Sequence, residues 1–479
     1  MTPRDAISTR FPRPQRTTVL LGLRPAQIAL LAFSVLCAAL VAFGGLTPGA
    51  KVVGLVVAVV TVAGAFARLD GLPAYRWAML RTLYGVRALS GRQSYRAGLM
   101  RPRSHGTIHI PGQDGALKVI DARSSIAAIH DPRRRRLVAV ARIEGPAHLL
   151  QNSDEQERRV TAYGRLIAGL CQSGRIGRAQ ILERTLPDSG DGLGEWAKQR
   201  HVDPGTAAGA IYQDLLKRAA PASAKHETLF SFALNLDAVS KEIRKHGGGM
   251  AGAMAVLGSE ARAFQTSFGA AGVAGCWLDA PELAMSLRVA FDPAATRTIP
   301  STEVLDPSGA GPLAVETGWD QLRTDSSLHR VYVVAEWPRV RATPSFLSPL
   351  LLRPGIRRTF SIVLQPIPIS KALRDARRHR VERITDRATR ARIGQLETEE
   401  DRLVDADVIQ REKDLAAGHG DVRWLGLLVV SGDTDEALEE ACTELEIAGA
   451  QALIDLRRLV GQQLEGFIAA ALPFGIGLG

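Results

Sequence analysis

Two apolar runs near the start of the chain are matched by no later segment. From Gln27 to Leu46 there is no charged side chain, over about the twenty residues that a helix needs to cross a bilayer. Thr47-Pro48-Gly49-Ala50-Lys51 follows, with Pro and Gly marking a turn. Val52 to Ala67 is again uncharged. It is short for a span, and Lys51 and Arg68 extend it by snorkelling outward. Neither run has the polar stripe of a surface helix. The pattern predicts a two-helix transmembrane hairpin over residues 27–69, behind a basic lead of residues 1–26. A cleaved signal peptide is the competing reading of residues 1–50; the long arginine-bearing lead and the immediate second apolar run argue against it.

Residues 71–103 then interleave Arg with Tyr75, Trp77, Leu80, Leu83, Tyr84 and Leu89. This predicts an amphipathic helix at the level of the lipid headgroups. Arg76, Trp77, Arg81, Tyr84 and Arg87 are its membrane-surface candidates, and anionic lipids are their partner. A juxtamembrane linker over residues 70–103 with solvated charges is the alternative.

Beyond it, short strands are predicted at Thr107–Ile110, Ala116–Ile120 and Leu137–Ile143. Asp131-Pro132 and the run Arg133 to Arg136 stand between two candidate strands, as a solvated hairpin turn or as a phosphate contact. Helical spacing runs through Glu155–Cys171 and Pro204–Lys217, with a strand near Ala179–Thr185. Two later stretches share an order of elements. The first has a strand at Thr228–Leu236, a long helical region, an extended Gly272–Leu278 and a helix from Pro281 to Ala290. The second has a strand at Thr359–Gln365, a very long helix, a strand at Arg423–Val430 and a helix from Thr434 to Ala448. The fold class is therefore α+β: a transmembrane hairpin, then a cytoplasmic body of two related mixed α/β lobes. The expected divisions are a first α+β region at 104–220, a lobe at 221–355 and a second lobe at 356–479 carrying the long charged helix.

That helix changes sign along its length. Lys371, Arg374, Arg377, Arg378, Arg380, Arg383, Arg387, Arg390 and Arg392 make its first half basic; Glu397, Glu399, Glu400, Asp401, Asp405 and Asp407 follow. So few apolar residues predict an element that projects or meets another subunit, or a solvated helix held by its own charge pairs. Arg377, Arg378, Arg380 and Arg383 are partner-binding candidates.

Charge sets the orientation. Arg4, Arg10, Arg13, Arg16 and Arg24 precede the first span and Arg68, Arg76, Arg81, Arg87, Arg92 and Arg96 follow the second, while the turn carries Lys51 alone. The positive-inside bias puts both termini and the body in the cytoplasm, at an inner membrane. Sixty Lys and Arg against 49 Asp and Glu leave a net +11 over 479 residues, a balance suited to an anionic partner, lipid or nucleic acid. Cys37, Cys171, Cys276 and Cys442 form no CxxC pair, and free thiols are expected.

The motifs of common chemistry are missing. There is no GxxxxGK[ST], HExxH or GxSxG, and so no phosphate cradle, zinc helix or nucleophile elbow is predicted. Gly247, Gly249 and Gly252 spell GxGxxG after a polar helix rather than a strand, which reads as a break between two helices. No catalytic residue, metal site or cofactor is expected.

Three stretches carry a family resemblance: Arg288-Val289-Ala290-Phe291-Asp292-Pro293; Glu316-x-x-Trp319 with the strand Arg330-Val331-Tyr332-Val333-Val334; and Gln462-Gln463-Leu464-Glu465-x-Phe467, closing at Leu472-Pro473. In this order, behind a basic lead and hairpin, they resemble an actinobacterial integral-membrane family of conjugation (type IV-like) secretion loci. The body is similar to the N-terminal, non-ATPase part of the conjugative secretion ATPase, and the hairpin to its small two-helix membrane subunit. The resemblance implies a non-enzymatic component that tethers and positions a separate secretion ATPase, beside other membrane secretion subunits and possible further copies of itself. It makes Gln462, Gln463, Phe467 and Pro473 partner-binding candidates and places them near the charged helix. A membrane component of a type VII secretion complex and a membrane-tethered nucleic-acid-binding protein are the alternatives.

Overall fold

Pro25 and Pro48 each open an apolar helix, α1 (Pro25–Phe43) and α2 (Pro48–Phe66), where a missing amide hydrogen costs nothing. Nineteen residues each make them about 28 Å long, close to the hydrocarbon thickness of a bilayer. The computed structural model describes residues 11, 25–45, 47–98, 104–112, 115–121, 126–146, 151–187, 205–219, 224–299, 304–392 and 399–478. The lead arginines Arg4, Arg10, Arg13, Arg16 and Arg24, and Glu397 of the charge reversal, lie outside the described residues.

The two helices pack as a hairpin. Ser34 Oγ donates to the Ala58 carbonyl at 3.0 Å and Gln27 Nε2 to that of Ala65 at 2.9 Å. A Cβ on Gly54 would meet Val41 at 2.5 Å, so a glycine lets the helices close. Next come β1 (Arg68–Leu69) and β2 (Leu72–Pro73), joined by Asp70-Gly71 at φ 50° and 70°, the left-handed pair that two-residue hairpin turns demand. Helix α3 (Ala74–Leu89) and β3 (Ser94–Arg96) complete the segment.

The body follows with β4 (Thr107–Ile108), β5 (Leu117–Asp121), β6 (Ala127–Asp131), β7 (Arg136–Glu144), α4 (Ser153–Ser173), β8 (Ile176–Pro187), α5 (Ala207–Ala219), β9 (Ala224–Asn235), α6 (Ser240–Lys245), α7 (Gly249–Ala270), β10 (Ala274–Trp277), α8 (Ala280–Phe291) and α9 (Ala295–Thr298). Its second part holds β11 (Ala314–Thr317), β12 (Leu322–Thr324), β13 (Ser327–Glu336), α10 (Ser348–Leu351), β14 (Arg357–Ile367), α11 (Ile369–Arg392), α12 (Glu399–Ala416), β15 (Asp421–Gly432), α13 (Asp435–Gln451), β16 (Asp455–Arg458) and α14 (Gln463–Ala471). Fourteen of the described strands, β3 to β16, join in one sheet.

One order occurs twice in this sheet. The strands lie side by side as β10-β7-β9-β8 and as β16-β13-β15-β14, and in each set helices follow the first and third strands in chain order, with further helices after the second and fourth. This is the split βαβ arrangement of a ferredoxin-like unit. The sets meet where β8 runs antiparallel to β14, Thr359 opposite Arg184 and Leu364 opposite Ala179. Strands β6, β5 and β4 extend one flank; β12, β11 and β3 extend the other.

Alternation divides the core. One face buries Leu137, Ala139, Phe230 and Phe232 under α4 and α7, and separately Tyr332, Phe360, Leu428 and Val430 under α10 and α13. The opposite face buries Val138, Leu182, Leu229, Val331 and Val429 in a single core with α8, α14 and the closing residues to Ile476. The halves are thus cored separately on one side and together on the other.

Two expectations change. The very long charged helix is two antiparallel helices, α11 and α12. The repeat register shifts by one strand: β9-α7-β10-α8 matches β15-α13-β16-α14, because β16, only four residues long, carries too little pattern to be seen. The divisions at 220/221 and 355/356 fall between hydrogen-bonded strands, since β8 pairs with β9 and β13 with β15. Gly247 to Gly249, all at positive φ, separate α6 from α7.

Candidate functional site

Helix α3 joins the apolar hairpin to the sheet, and Trp319 receives it. In the turn between β11 and β12, the Trp319 ring meets Tyr84 edge-on at 5.3 Å and Trp77 at 5.8 Å. The Arg81 guanidinium lies 4.9 Å from the same ring, within cation–π range. Arg87 donates to Glu465 at 2.5 Å and to the Gly461 carbonyl at 2.7 Å. Gly461 is required there: φ is 70°, its amide donates to the Trp319 carbonyl at 2.6 Å, and a Cβ would meet that ring at 2.7 Å. Trp77 also caps the turn below, donating to Asp70 at 2.9 Å. Four of the five membrane-surface candidates, Trp77, Arg81, Tyr84 and Arg87, therefore turn toward the body. Arg76 remains exposed. Helical spacing grouped these residues on one face but could not name its partner, which comes from far along the chain.

The charged arm α11–α12 is held by the sign change itself. Arg380 pairs with Glu412 at 2.8 Å, Arg383 with Asp405 at 2.6 Å and Arg387 with Asp405 at 2.7 Å. At its base, Ala372, Ala376 and Leu415 bury against Ile367. Of the arm's partner-binding candidates, Arg380 and Arg383 are thus engaged within the chain, while Arg377 and Arg378 stand exposed beside them.

The C-terminal candidates divide more sharply. Gln463 is fully buried: Oε1 accepts from the Val331 amide at 2.9 Å and Nε2 donates to the Leu459 carbonyl at 2.6 Å. Phe467 is 0% exposed and packs on Phe291 and His329, and Pro473 is buried. These three are core, because α14 is covered by the sheet. Gln462 is half-buried, its carbonyl accepting from the Gly466 amide. The base of the arm packs beside α4, where Cys171 donates to the Asp421 carbonyl, on the face of the sheet opposite α14.

An aromatic slot went unseen in the sequence. Phe11 stacks on Trp337 at 5.1 Å and meets Phe346 and Trp424 edge-on at 5.4 and 5.6 Å. No local spacing links these four residues.

Several buried polar groups in the body pair with one another, while others, such as Arg358 Nε and Nη2, have no hydrogen-bond partner among the described residues. Glu227 is clasped by Arg184 at 2.6 Å and Arg142 at 2.9 Å; burial pushes its carboxyl up, but the two guanidinium groups outweigh this and hold it at about 2. His329 bonds Thr324 at 2.6 Å and Ser431 at 2.8 Å, and burial lowers its pKa to about 3, so the ring stays neutral. In the turn of the arginine run, Asp131 accepts from the Arg134 amide and from the Arg134 and Arg136 side chains. Burial raises its pKa and these partners more than reverse the shift. Arg135 pairs with Asp237 at 2.6 Å. The run is therefore a hairpin turn whose charges are largely committed. No cluster of three metal-ligating side chains occurs among the described residues.

Compared with known proteins, the chain matches no family model and no curated protein.

Proposed function

We propose that the protein is a non-enzymatic, inner-membrane component of a conjugation or type IV-like secretion apparatus that tethers and positions a separate ATPase. The observation that carries the membrane part is the hairpin: α1 and α2 turn Leu36, Leu40, Val53, Val56 and Val60 outward, each more than half exposed. Water disfavours such a surface by roughly 25 cal/mol per Å², and lipid does not. The packing of Phe11 on the body supports a shared side for lead and body, which the arginines place in the cytoplasm. The doubled strand order supports two related lobes, as the resemblance implies. Tethering raises the effective concentration of a partner at the membrane, and the exposed Arg377 and Arg378 offer it a cationic docking point. The commitment of arm and turn arginines to internal acids counts against a nucleic-acid-binding role.

The test is capture from gently solubilised membranes. An ATPase should accompany the wild-type chain and be reduced several-fold by R377E/R378E, a variant that leaves the ion pairs of Arg380 and Arg383 in place. Equal recovery across salt concentrations would remove the docking point. Recovery of salt-sensitive DNA without an ATPase would replace the proposal.

A further inference from the structure

Helix α3 has two apolar faces, and the body covers one. Opposite Trp77 and Tyr84 run Met79, Leu83 and Val86, exposed by 61%, 46% and 63%. Their spacing of four and three residues places them in one line along the helix. A surface helix packed on one side ordinarily turns polar side chains to water on the other. Here the only cation among the exposed residues flanking that line is Arg76, at its start, with Arg68 before the helix and Arg92 after it, all exposed. The Asp70-Gly71 turn brings the start of α3 back against the end of α2, the Ala74 amide donating to the Ala67 carbonyl at 2.9 Å, so the exposed line of α3 follows directly on the apolar hairpin. Arg457, packed under Gly71, has its pKa lowered by burial and then by the charge of Arg76, against the opposing charge of Asp455.

We propose that the outer face of α3, through Met79, Leu83 and Val86, lies in the boundary between headgroups and acyl chains of the bilayer. Arg68, Arg76 and Arg92 meet anionic headgroups there. This rests on the membrane reading of α1 and α2, and it reverses the face expected from the sequence, because the aromatic side belongs to Trp319. An amphipathic helix in this position buries its apolar face about 5–10 Å into the interface. With its inner face held by Trp319, Gly461 and Glu465, α3 fixes the height and tilt of the body, with β3 and β11 at the edge nearest the membrane.

The full chain, with Cys37 and Cys276 replaced by Ala, is reconstituted in phosphatidylcholine–phosphatidylglycerol vesicles. Nitroxide labels are placed singly at residues 36, 83, 86 and 323. Collision with oxygen is compared with collision with a water-soluble nickel chelate. The labels at 36, 83 and 86 should favour oxygen, with 83 and 86 shallower than 36, and the label at 323 should favour nickel. Labels at 83 and 86 that favour nickel while 36 favours oxygen overturn the inference and leave the hairpin reading intact. All four favouring nickel overturns both. In vesicles of phosphatidylcholine alone, 83 and 86 should move toward water; an unchanged depth would remove the role of the arginines.

Discussion

The protein carries two helical hairpins built for opposite surroundings. In α1–α2 the polar contacts are inside, Ser34 on Ala58 and Gln27 on Ala65, and the outside is Leu and Val. In α11–α12 the ion pairs of Arg380, Arg383 and Arg387 lie between the helices, and the outside carries Arg377, Arg378, Arg402 and Lys413. Both are antiparallel pairs with short connections. What separates them is the solvent each outer surface suits: the first loses free energy in water, the second would lose more in lipid.

The largest expected effect lies in exchanging that solvent preference. L36K/V56K should abolish carbonate-resistant membrane association, since each lysine at the centre of a span costs about 3 kcal/mol. Retention at wild-type levels would show that the apolar pair is not the anchor.

Acid should unfold the body before it disturbs the α1–α2 pair. The unfolded chain takes a proton on His329 near pH 6.5, whereas the folded protein resists it to about 3. Stability therefore falls as pH drops through that window. Glu227, held at about 2 against 4.5 when unfolded, adds a loss of about 3 kcal/mol below pH 4.5. Thermal melts in detergent across pH should show both limbs, and H329Q should remove the upper one. A melting temperature flat from pH 7 to 4 would contradict the His329 assignment, and one flat from pH 4.5 to 2 that of Glu227.

The smallest effect belongs to the arm. R383E should cost about 0.5–1 kcal/mol locally, read as faster amide exchange across residues 369–416, and adding D405R should restore protection only in part, because Arg387 loses the same acid. Molar salt should loosen α11–α12 and leave α1–α2 unchanged. Equal sensitivity of the two hairpins would erase the distinction between them.

The apolar runs, the strands β7, β9, β14 and β15, and the glycine break before α7 were legible in the sequence, because each is a property of one segment. The sign change in residues 371–407 was legible too, but not its meaning. Charge pairs within one helix and charge pairs across two produce the same composition, and only the packing of α11 on α12 decides between them. Burial of Gln463, Phe467 and Pro473 depended on β13 and on the closing segment folding over α14. The rotation of α3 depended on Trp319, and the slot for Phe11 on strands that meet only in the sheet. Sequence by itself determined which segments are apolar, charged or extended, since those preferences are local. Tertiary structure alone decided which faces look inward, because burial is a property of pairs of surfaces and their partners lie far apart along the chain.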